Sequence, residues 1–460
     1  MTRYLIFAAI GLTLFTQNAG NTAVAVAFPE IASAFDARIV LAGWVLSSFQ
    51  LAVIIMVPLA GKASDALGRK RTFTFFVLLF VIGSFLCAIA PNIYWLILFR
   101  VVQGLGSGGF LTSAVGIAAD TFPESRLRSV GFVTSILTVG SAVGPNVGGW
   151  LTESFGWRYI FWASIPPCVA ALAIGAALLK RDSKMAKPAF DLRGAGLLAA
   201  SLGAMIVGLT VLGGGEVFKS WPAVAALFVA GSAATVLFVR YERGAANPLI
   251  EMRMLRERQF AAANVFNTAF GLSIGVFSFL PLYAVEVYGA STFQSGLLTS
   301  PRAIGMVAGS VLTTLQLARW GYRWPMLIGI TVEALGIALL GFESGGFASY
   351  GLALSGLAVM VVVVSLTGFA QGFVMPAANN ACIELMPDRV ATITGMRQTC
   401  RNVGQMMGIA LASIVLDRSV NLAQGFQYVL FGTALIALLT VPSIVMMPRS
   451  PSDAPSQRLG

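Results

Sequence analysis

The sequence predicts an all-α membrane protein of fourteen transmembrane helices, arranged as two six-helix bundles plus two extra central helices. Three observations predict it. Of the 460 residues, 57% are hydrophobic and only 11% charged, against about 25% charged in a soluble domain. Apolar runs recur along the whole chain, most of them long enough for the roughly 20 helical residues that cross a bilayer's hydrocarbon core. The basic residues, which set a formal net charge of +11, gather in the short segments between those runs. Such a charge can signal nucleic acid, but this placement is the positive-inside pattern of a multi-pass protein. The lipid bilayer is the expected partner, and no nucleic acid.

The first six spans fall near 4–27, 40–60, 72–90, 94–117, 130–151 and 159–179. Eight more follow near 194–213, 221–239, 261–285, 294–317, 325–341, 350–373, 395–416 and 425–447. Arg3, the apolar "YLIFAAIGLTLF" and a later "AVA" resemble a secretory signal with its cleavage site. The competing reading, an uncleaved first span with Gln17, Asn18 and Asn21 facing an interior, is the one adopted.

With the N-terminus inside, only Arg38, Arg158, Lys219 and Arg418 fall outside, while Arg100, Arg302 and Arg401 lie within spans. That asymmetry orients the chain in the plasma (inner) membrane with both termini cytoplasmic. The two richest basic segments, "KRDSKMAKPAFDLR" and "RYERGAANPLIEMRMLRER", bracket spans seven and eight like seams. The expected organisation is therefore a bundle at 1–179, an inserted two-helix segment at 180–258, and a second bundle with a short polar tail at 259–460. A shift of 264 residues places Gly104 on Gly368, Gly108 on Gly372, Gly140 on Gly404 and Gly144 on Gly408, which suggests an internal duplication.

Several chemistries are excluded. There is no histidine, and Cys87, Cys168, Cys382 and Cys400 lack metal-ligand spacing, so neither a metal nor a disulfide framework is expected. The acids are scattered, which leaves no cluster of nucleophile and base for an enzyme. No G-x-x-x-x-G-K-[ST] loop is present for ATP, and no cofactor is implied.

The charge that remains is placed with purpose. In "GKASDALGRKR", residues 61–71, inside-positive anchoring explains Lys62, Arg69, Lys70 and Arg71, but not Asp65 between Gly61 and Gly68 in what should be a tight turn. Gly140, Gly144 and Gly148 recur every four residues, a small-residue stripe that lets another helix come close, and Pro145 favours a bend beside Gly149. Arg100, costing roughly 2.5–3.5 kcal/mol at a bilayer centre, should face a polar interior with Gln103 and Ser107 on its own face. Either a tie between helices or contact with a substrate would account for it.

Gln17, Asn18, Asn21, Gln50, Asn264, Asn267 and Asn379, with Asn380, make a set of intramembrane amides that would line a neutral cavity, with interhelical hydrogen bonding as the plainer alternative. Glu333 is the single acid in the middle of an apolar span, suited either to carry a proton or to sit neutral as a structural hydrogen-bonding group.

Gly61, Asp65, Gly68, Arg69 and Lys70 resemble the loop signature of the major facilitator superfamily, with Ala66 in place of a basic residue. "FRVVQGLGSGG" and "VGSAVGPNVGG" resemble the fourth-helix and antiporter motifs of that family, and "WRYIFWASIP" the opening of its sixth helix. The span count is similar to the fourteen-helix drug:proton antiporter branch, as are "NPLIEMRMLRERQF", "LPLYAVEVYGAS" and "RNVGQMMGIA".

The resemblance implies a cytoplasmic latch in which Asp65 meets the start of span thirteen and Arg69 pairs with Asp120. It implies an outer hinge or seal at Gly140, Gly144, Pro145, Gly148 and Gly149, and a part for Arg100 in proton movement or substrate binding. It also implies an acid in span one, where this chain has Gly20, and it makes the helix of Glu333 a peripheral one. The function expected is proton-coupled export of hydrophobic or amphipathic small molecules by a monomer working through alternating access. The alternative is a uniporter or exporter of a specific neutral or anionic metabolite, lipid or siderophore, without the span-one acid.

Overall fold

The computed structural model describes residues 2–122, 126–179, 191–213, 221–245, 257–343, 356–385 and 390–449. Their regular structure is α-helical throughout and falls into two compact units. The first comprises Met1–Val211, Glu216–Leu249 and Ser291–Gly296, and the second Leu212–Gly215, Ile250–Ala290 and Leu297–Gly460.

The first unit holds α1 (Thr2–Val26), α2 (Phe28–Ala34), α3 (Ile39–Leu67), α4 (Arg69–Ala88), α5 (Ile93–Thr121), α6 (Arg126–Phe155), α7 (Arg158–Leu178), most of α8 (Leu192–Gly213) and α9 (Trp221–Gly244). The second holds α10 (Arg258–Phe277), α11 (Leu280–Tyr288), α12 (Thr292–Trp320) beyond its first turn, α13 (Arg323–Glu343), α14 (Gly356–Leu385), α15 (Val390–Arg418), α16 (Leu422–Leu439) and α17 (Val441–Met446).

Helix ends follow local chemistry. Asn92 opens α5 by accepting hydrogen bonds from the Tyr94 and Trp95 amides, each at 3.1 Å. Asn421 opens α16 by accepting from the Ala423 amide at 3.0 Å. Two stretches expected as single spans, 261–285 and 425–447, are each broken in two, at Ser278–Phe279 and at Thr440. Pro281 and Pro442 follow these breaks, and a proline has no amide to carry a helix through.

The charged stretch 61–71 also differs from expectation. α3 runs on to Leu67, so most of the stretch is helix, and the reversal is confined to Gly68 at φ 96°. Gly61 lies inside α3, and a Cβ on it would meet nothing within 4 Å among the described residues, so close approach is not what it provides there.

Among the described residues, nine helical segments are long and apolar enough to cross a bilayer, which makes this a multi-pass membrane protein. They lie on α3, α4, α5, α7, α9, α13, α14, on α10 with α11, and on α16 with α17.

Both units are built on one plan. α1 packs on α6 and α7, and α4 on α5 and α7; α10 packs on α15 and α16, and α13 on α14 and α16. Glycines set these contacts. A Cβ at Gly104 or Gly108 would strike the backbone of Phe49 or Val53, and one at Gly368 or Gly372 that of Arg302 or Met306. Gly140 and Gly144 face the carbonyls of Phe15 and Ala19, and Gly404 and Gly408 those of Thr268 and Leu272.

The glycines recur at a spacing of 264, and every partner recurs at 253. Gly83 against Gln103 and Gly336 against Thr367 keep the same two spacings. The repeat suggested by sequence is thus present in the helix contacts, with one offset for the first three helices of each set and another for the next two.

Candidate functional site

The centre of the first unit is Arg100, whose side chain is only 1% exposed. Every guanidinium nitrogen donates to a neutral oxygen: Nε to the Val45 carbonyl at 2.9 Å, Nη1 to Gln103 Oε1 at 2.7 Å and Nη2 to Asn21 Oδ1 at 3.2 Å. Gln103 Nε2 donates in turn to Ser84 Oγ at 2.8 Å, and the Ser84 hydroxyl to the Phe80 carbonyl at 2.8 Å. The guanidinium lies 4.2 Å from the centre of the Phe49 ring and 6.0 Å from that of Phe161, within reach of a cation–π attraction. No carboxylate pairs with it among the described residues. A cation held by amides and rings keeps its charge available to whatever enters beside it.

Beside Arg100 lies a pocket with room for about one water molecule, lined among others by Gln17, Gly20, Asn21, Phe49, Phe161 and Ser164. Gln17 Oε1 is buried there with no donor among the described residues. Gly20 holds open the wall at which the resembling branch would carry an acid, and a Cβ on it would lie 3.2 Å from Ser164 Oγ. Asn18 faces elsewhere: its amide donates to the Leu137 carbonyl and to Ser141 Oγ, tying α1 to α6. Gln50 is half-buried on α3 and does not reach this pocket.

The second unit's amides divide as well. Asn264 and Asn267 donate back to their own helix, to Phe260 and Ala263 at 2.9 and 2.7 Å, and Asn267 also approaches Cys382 Sγ at 3.6 Å. Asn264 Oδ1 and Asn379 Oδ1 are buried without a donor among the described residues.

Glu333 is 0% exposed, on the inward face of a helix whose other face presents Ile328, Leu335 and Leu339 at the surface. Its Oε1 accepts from Ser273 Oγ on α10 at 2.6 Å and from Gln371 Nε2 on α14 at 2.8 Å. Gln371 Oε1 accepts from Arg302 Nη2 on α12 at 2.6 Å, and the Arg302 guanidinium lies 4.1 Å from the centre of the Phe277 ring. Sequence reasoning found Glu333 and Arg302 but missed Ser273 and Gln371, which no spacing rule ties to them.

At one end of the first unit, Arg69 Nη1 pairs with Asp120 Oδ2 at 2.6 Å and also donates to the Gly116 carbonyl. Lys70 Nζ donates to the Ala176 and Leu179 carbonyls, both at 2.7 Å, so a cation sits on the last turn of α7. The side chain of Asp65 lies outside the described residues. Gly140, Gly144 and Gly148 all face α1, and a Cβ at Gly148 would meet Ala23 at 2.5 Å; Pro145 lies within α6. Gly149 faces the first turn of α12, at Thr292 and Phe293.

A chain built as a repeated helical unit with charged and amide groups buried in each copy has the organisation of a transporter. Comparisons with known proteins agree. The model of the Major Facilitator Superfamily matches residues 10–315 and, a second time, 262–459. Multidrug resistance protein B homolog of Mycobacterium tuberculosis is 32% identical over 87% of this chain and 74% of its own length. Multidrug resistance protein 3 of Bacillus subtilis is 30% identical over 89% of this chain and 79% of its own. The crystal structure of the nucleoside transporter NupG superposes with a TM-score of 0.64 over 97% of this chain and 99% of that one at 15% identity, which shows the fold. This chain therefore belongs to the Major Facilitator Superfamily, a family of membrane transporters rather than enzymes.

Proposed function

We propose that this protein is a secondary transporter of the multidrug-efflux kind, which exports hydrophobic or amphipathic small molecules by alternating access and is driven by protons. The observation that carries the reading is the Arg100 pocket, where aromatic faces and amides surround a buried cation that no carboxylate neutralises among the described residues. The pocket has room for about one water molecule as it stands, so a larger molecule is admitted where alternating access opens it. Its aromatic and amide lining then suits varied amphipathic molecules by shape and weak polar contact. The names of the relatives above support the same role. A proton gradient can supply the work, at about 2.3 kcal/mol per charge per 100 mV of potential.

In this reading the chain crosses the plasma membrane fourteen times as a monomer, with both termini in the cytoplasm and α8 and α9 as the inserted pair. α1, α6, α8, α12 and α15, with 25, 30, 22, 29 and 29 residues, join the nine apolar segments as crossings. Each is long enough for a core of about 30 Å. Four of them carry the polar residues expected of helices that face an interior: Gln17 and Asn21 on α1, Asn146 on α6, Arg302 on α12, and Arg397, Arg401 and Asn402 on α15. The Arg69–Asp120 pair acts as part of the cytoplasmic latch, and Pro145 with its flanking glycines as the hinge of α6.

The test is ethidium transport by the full chain in proteoliposomes. Imposing a pH gradient should accelerate ethidium movement against its own gradient, and equal rates with and without it would remove proton drive. The uncompensated charge of Arg100 also favours a second reading, a carrier for a specific neutral or anionic molecule. Saturable uptake of one such compound with no competition by ethidium would establish that instead.

A further inference from the structure

The Arg100 pocket leaves Glu333 without work. It lies midway along α13, fully buried, with both of its donors on Oε1 and none among the described residues on Oε2. Arg302 reaches it only through Gln371, and the Arg302 Nε has no acceptor of its own among the described residues. A structural ion pair would bring the guanidinium onto both carboxylate oxygens as a fork. A purely structural hydrogen-bonding acid would have both oxygens satisfied. Glu333 is neither, and Oε2 is an atom that can take a proton without breaking a bond already made.

The internal repeat gives the position its meaning. By the spacing of 253 that relates the first three helices of each set, Gly20 corresponds to Ser273, Phe49 to Arg302 and Phe80 to Glu333. By the spacing of 264, Ser107 corresponds to Gln371. Gly20, Phe49 and Phe80 all line the Arg100 pocket of the first unit. The acid and its partners therefore occupy, in the second unit, the place that in the first is a pocket beside a cation. One scaffold holds opposite charge chemistry in its two copies.

We propose that Glu333 is the carboxyl that binds and releases the coupling proton, at Oε2, with Ser273, Gln371 and Arg302 as the positioning residues that hold its ionised form. This rests on the proton-driven reading above. A proton from water on one side adds to the carboxylate and leaves to water on the other, and no other bond forms or breaks. With Glu333 ionised, the charge of Arg302 is balanced across Gln371; with it protonated, the site carries one net positive charge.

Among the described residues, Arg302 on α12 is the charged group that acts on Glu333. α10 and α14 carry charge only near their ends, at Arg258 and Glu384, about 20 Å along the axis from Ser273 and Gln371. α16 carries no charge, and its Tyr428 is exposed.

Two measurements on the full chain test this. Infrared difference spectra of the reconstituted protein should show a carboxylic-acid C=O band that fades as pH rises, is missing in Glu333→Gln, and shifts its midpoint upward by about one pH unit or more in Arg302→Gln, because losing the cation disfavours the carboxylate. In proteoliposomes, the ratio of pH-gradient-driven ethidium accumulation to ethidium exchange should fall about tenfold or more in Glu333→Gln.

If the wild type itself ignores the gradient, proton drive fails as the function, and the infrared titration still decides whether Glu333 binds a proton. If the wild type is gradient-driven and Glu333→Gln keeps the wild-type ratio, this assignment is overturned while proton drive stands. Should Glu333→Gln fail to fold, Ser273→Ala and Arg302→Gln retain the acid, and titration midpoints that do not move in either would overturn it as well.

Discussion

The buried centres of the two units share a backbone plan and differ in what that plan holds. In the first, a guanidinium from α5 lies against Phe49 with amides and a carbonyl as its acceptors. In the second, an arginine stands at the position equivalent to Phe49 and reaches a carboxylate through one amide. The glycine contacts that fix the helix spacing are retained in both. Packing is thus the constant of the duplication and buried charge its variable, as expected where backbone approach tolerates no added atom while side chains facing a cavity can change.

The same contrast runs to the helix ends. Gly68 and Gly321 both take positive φ, 96° and 68°, and stand 253 residues apart. After them come Arg69, paired with Asp120 at 2.6 Å, and Tyr322, whose hydroxyl donates to Glu384 at 3.2 Å; the two acids are 264 apart. Lys70 caps carbonyls at Ala176 and Leu179, and Arg323 donates to the Met447 carbonyl at 2.7 Å. An ion pair in one copy is a neutral donor to an acid in the other.

The comparison breaks most sharply at its charged centre. Arg100→Ala should leave the Val45 carbonyl, Gln103 and Asn21 without their donor and cut ethidium transport about tenfold or more, with and without a pH gradient. Arg100→Lys should recover only part of it, because an ammonium cannot supply the same fork. Full activity in Arg100→Ala would make the first centre a mere helix tie.

Next come the shared contacts. Gly144→Ala and its counterpart Gly408→Ala should each cost about 1–3 kcal/mol, since the new methyl meets the backbone of Ala19 or Leu272. Gly61→Ala, in open space within α3, should instead stabilise by about 0.5–1 kcal/mol. Thermal melting in detergent checks all three, and a harmless Gly408→Ala would end the equivalence of the two stripes.

Smaller effects separate the helix ends. Arg69→Gln should lower the melting temperature by an amount that shrinks in salt, because its partner Asp120 is mostly exposed and such a solvated pair is worth at most about 1 kcal/mol. Tyr322→Phe should cost about as much, with no such dependence on salt.

The smallest effect concerns Glu30, whose carboxyl is raised above its ordinary value, first by burial and then by Glu153, against the Thr292 hydroxyl that lowers it. An acid raised on folding stabilises the fold below its unfolded value, and that contribution is lost as pH climbs through the folded one. Glu30→Gln should therefore melt slightly higher than wild type at neutral pH, with the gap closing below about pH 4. A gap that widens in acid would reverse the sign.

Much of this was legible in the sequence. Hydropathy placed the helices, intramembrane charge pointed to Arg100, and four pairs of glycines gave the repeat. Partners were not legible where they came from separate helices: Ser273, Arg302, Glu333 and Gln371 lie on four of them, and neither 3.6-residue periodicity nor motif spacing links such positions. Orientation was equally hidden. Asn18 turned out to tie α1 to α6, and Asn264 and Asn267 to bond the carbonyls one turn back, because an amide in an apolar helix takes the nearest acceptor unless a cavity is within reach. Gly61 was misplaced because a glycine near charged residues suggests a turn, whereas Gly68 alone supplies it.

The left-handed corners at Gly68 and Gly321 bear on biogenesis. Each lets a long hydrophobic hairpin reverse within one or two residues, Gly68 alone or Gly321 with Tyr322, so α3 with α4, and α12 with α13, can form while the rest of the chain is still being made. A side chain at either corner would oppose that reversal during membrane insertion. Such variants would be recognised by a low yield of inserted protein.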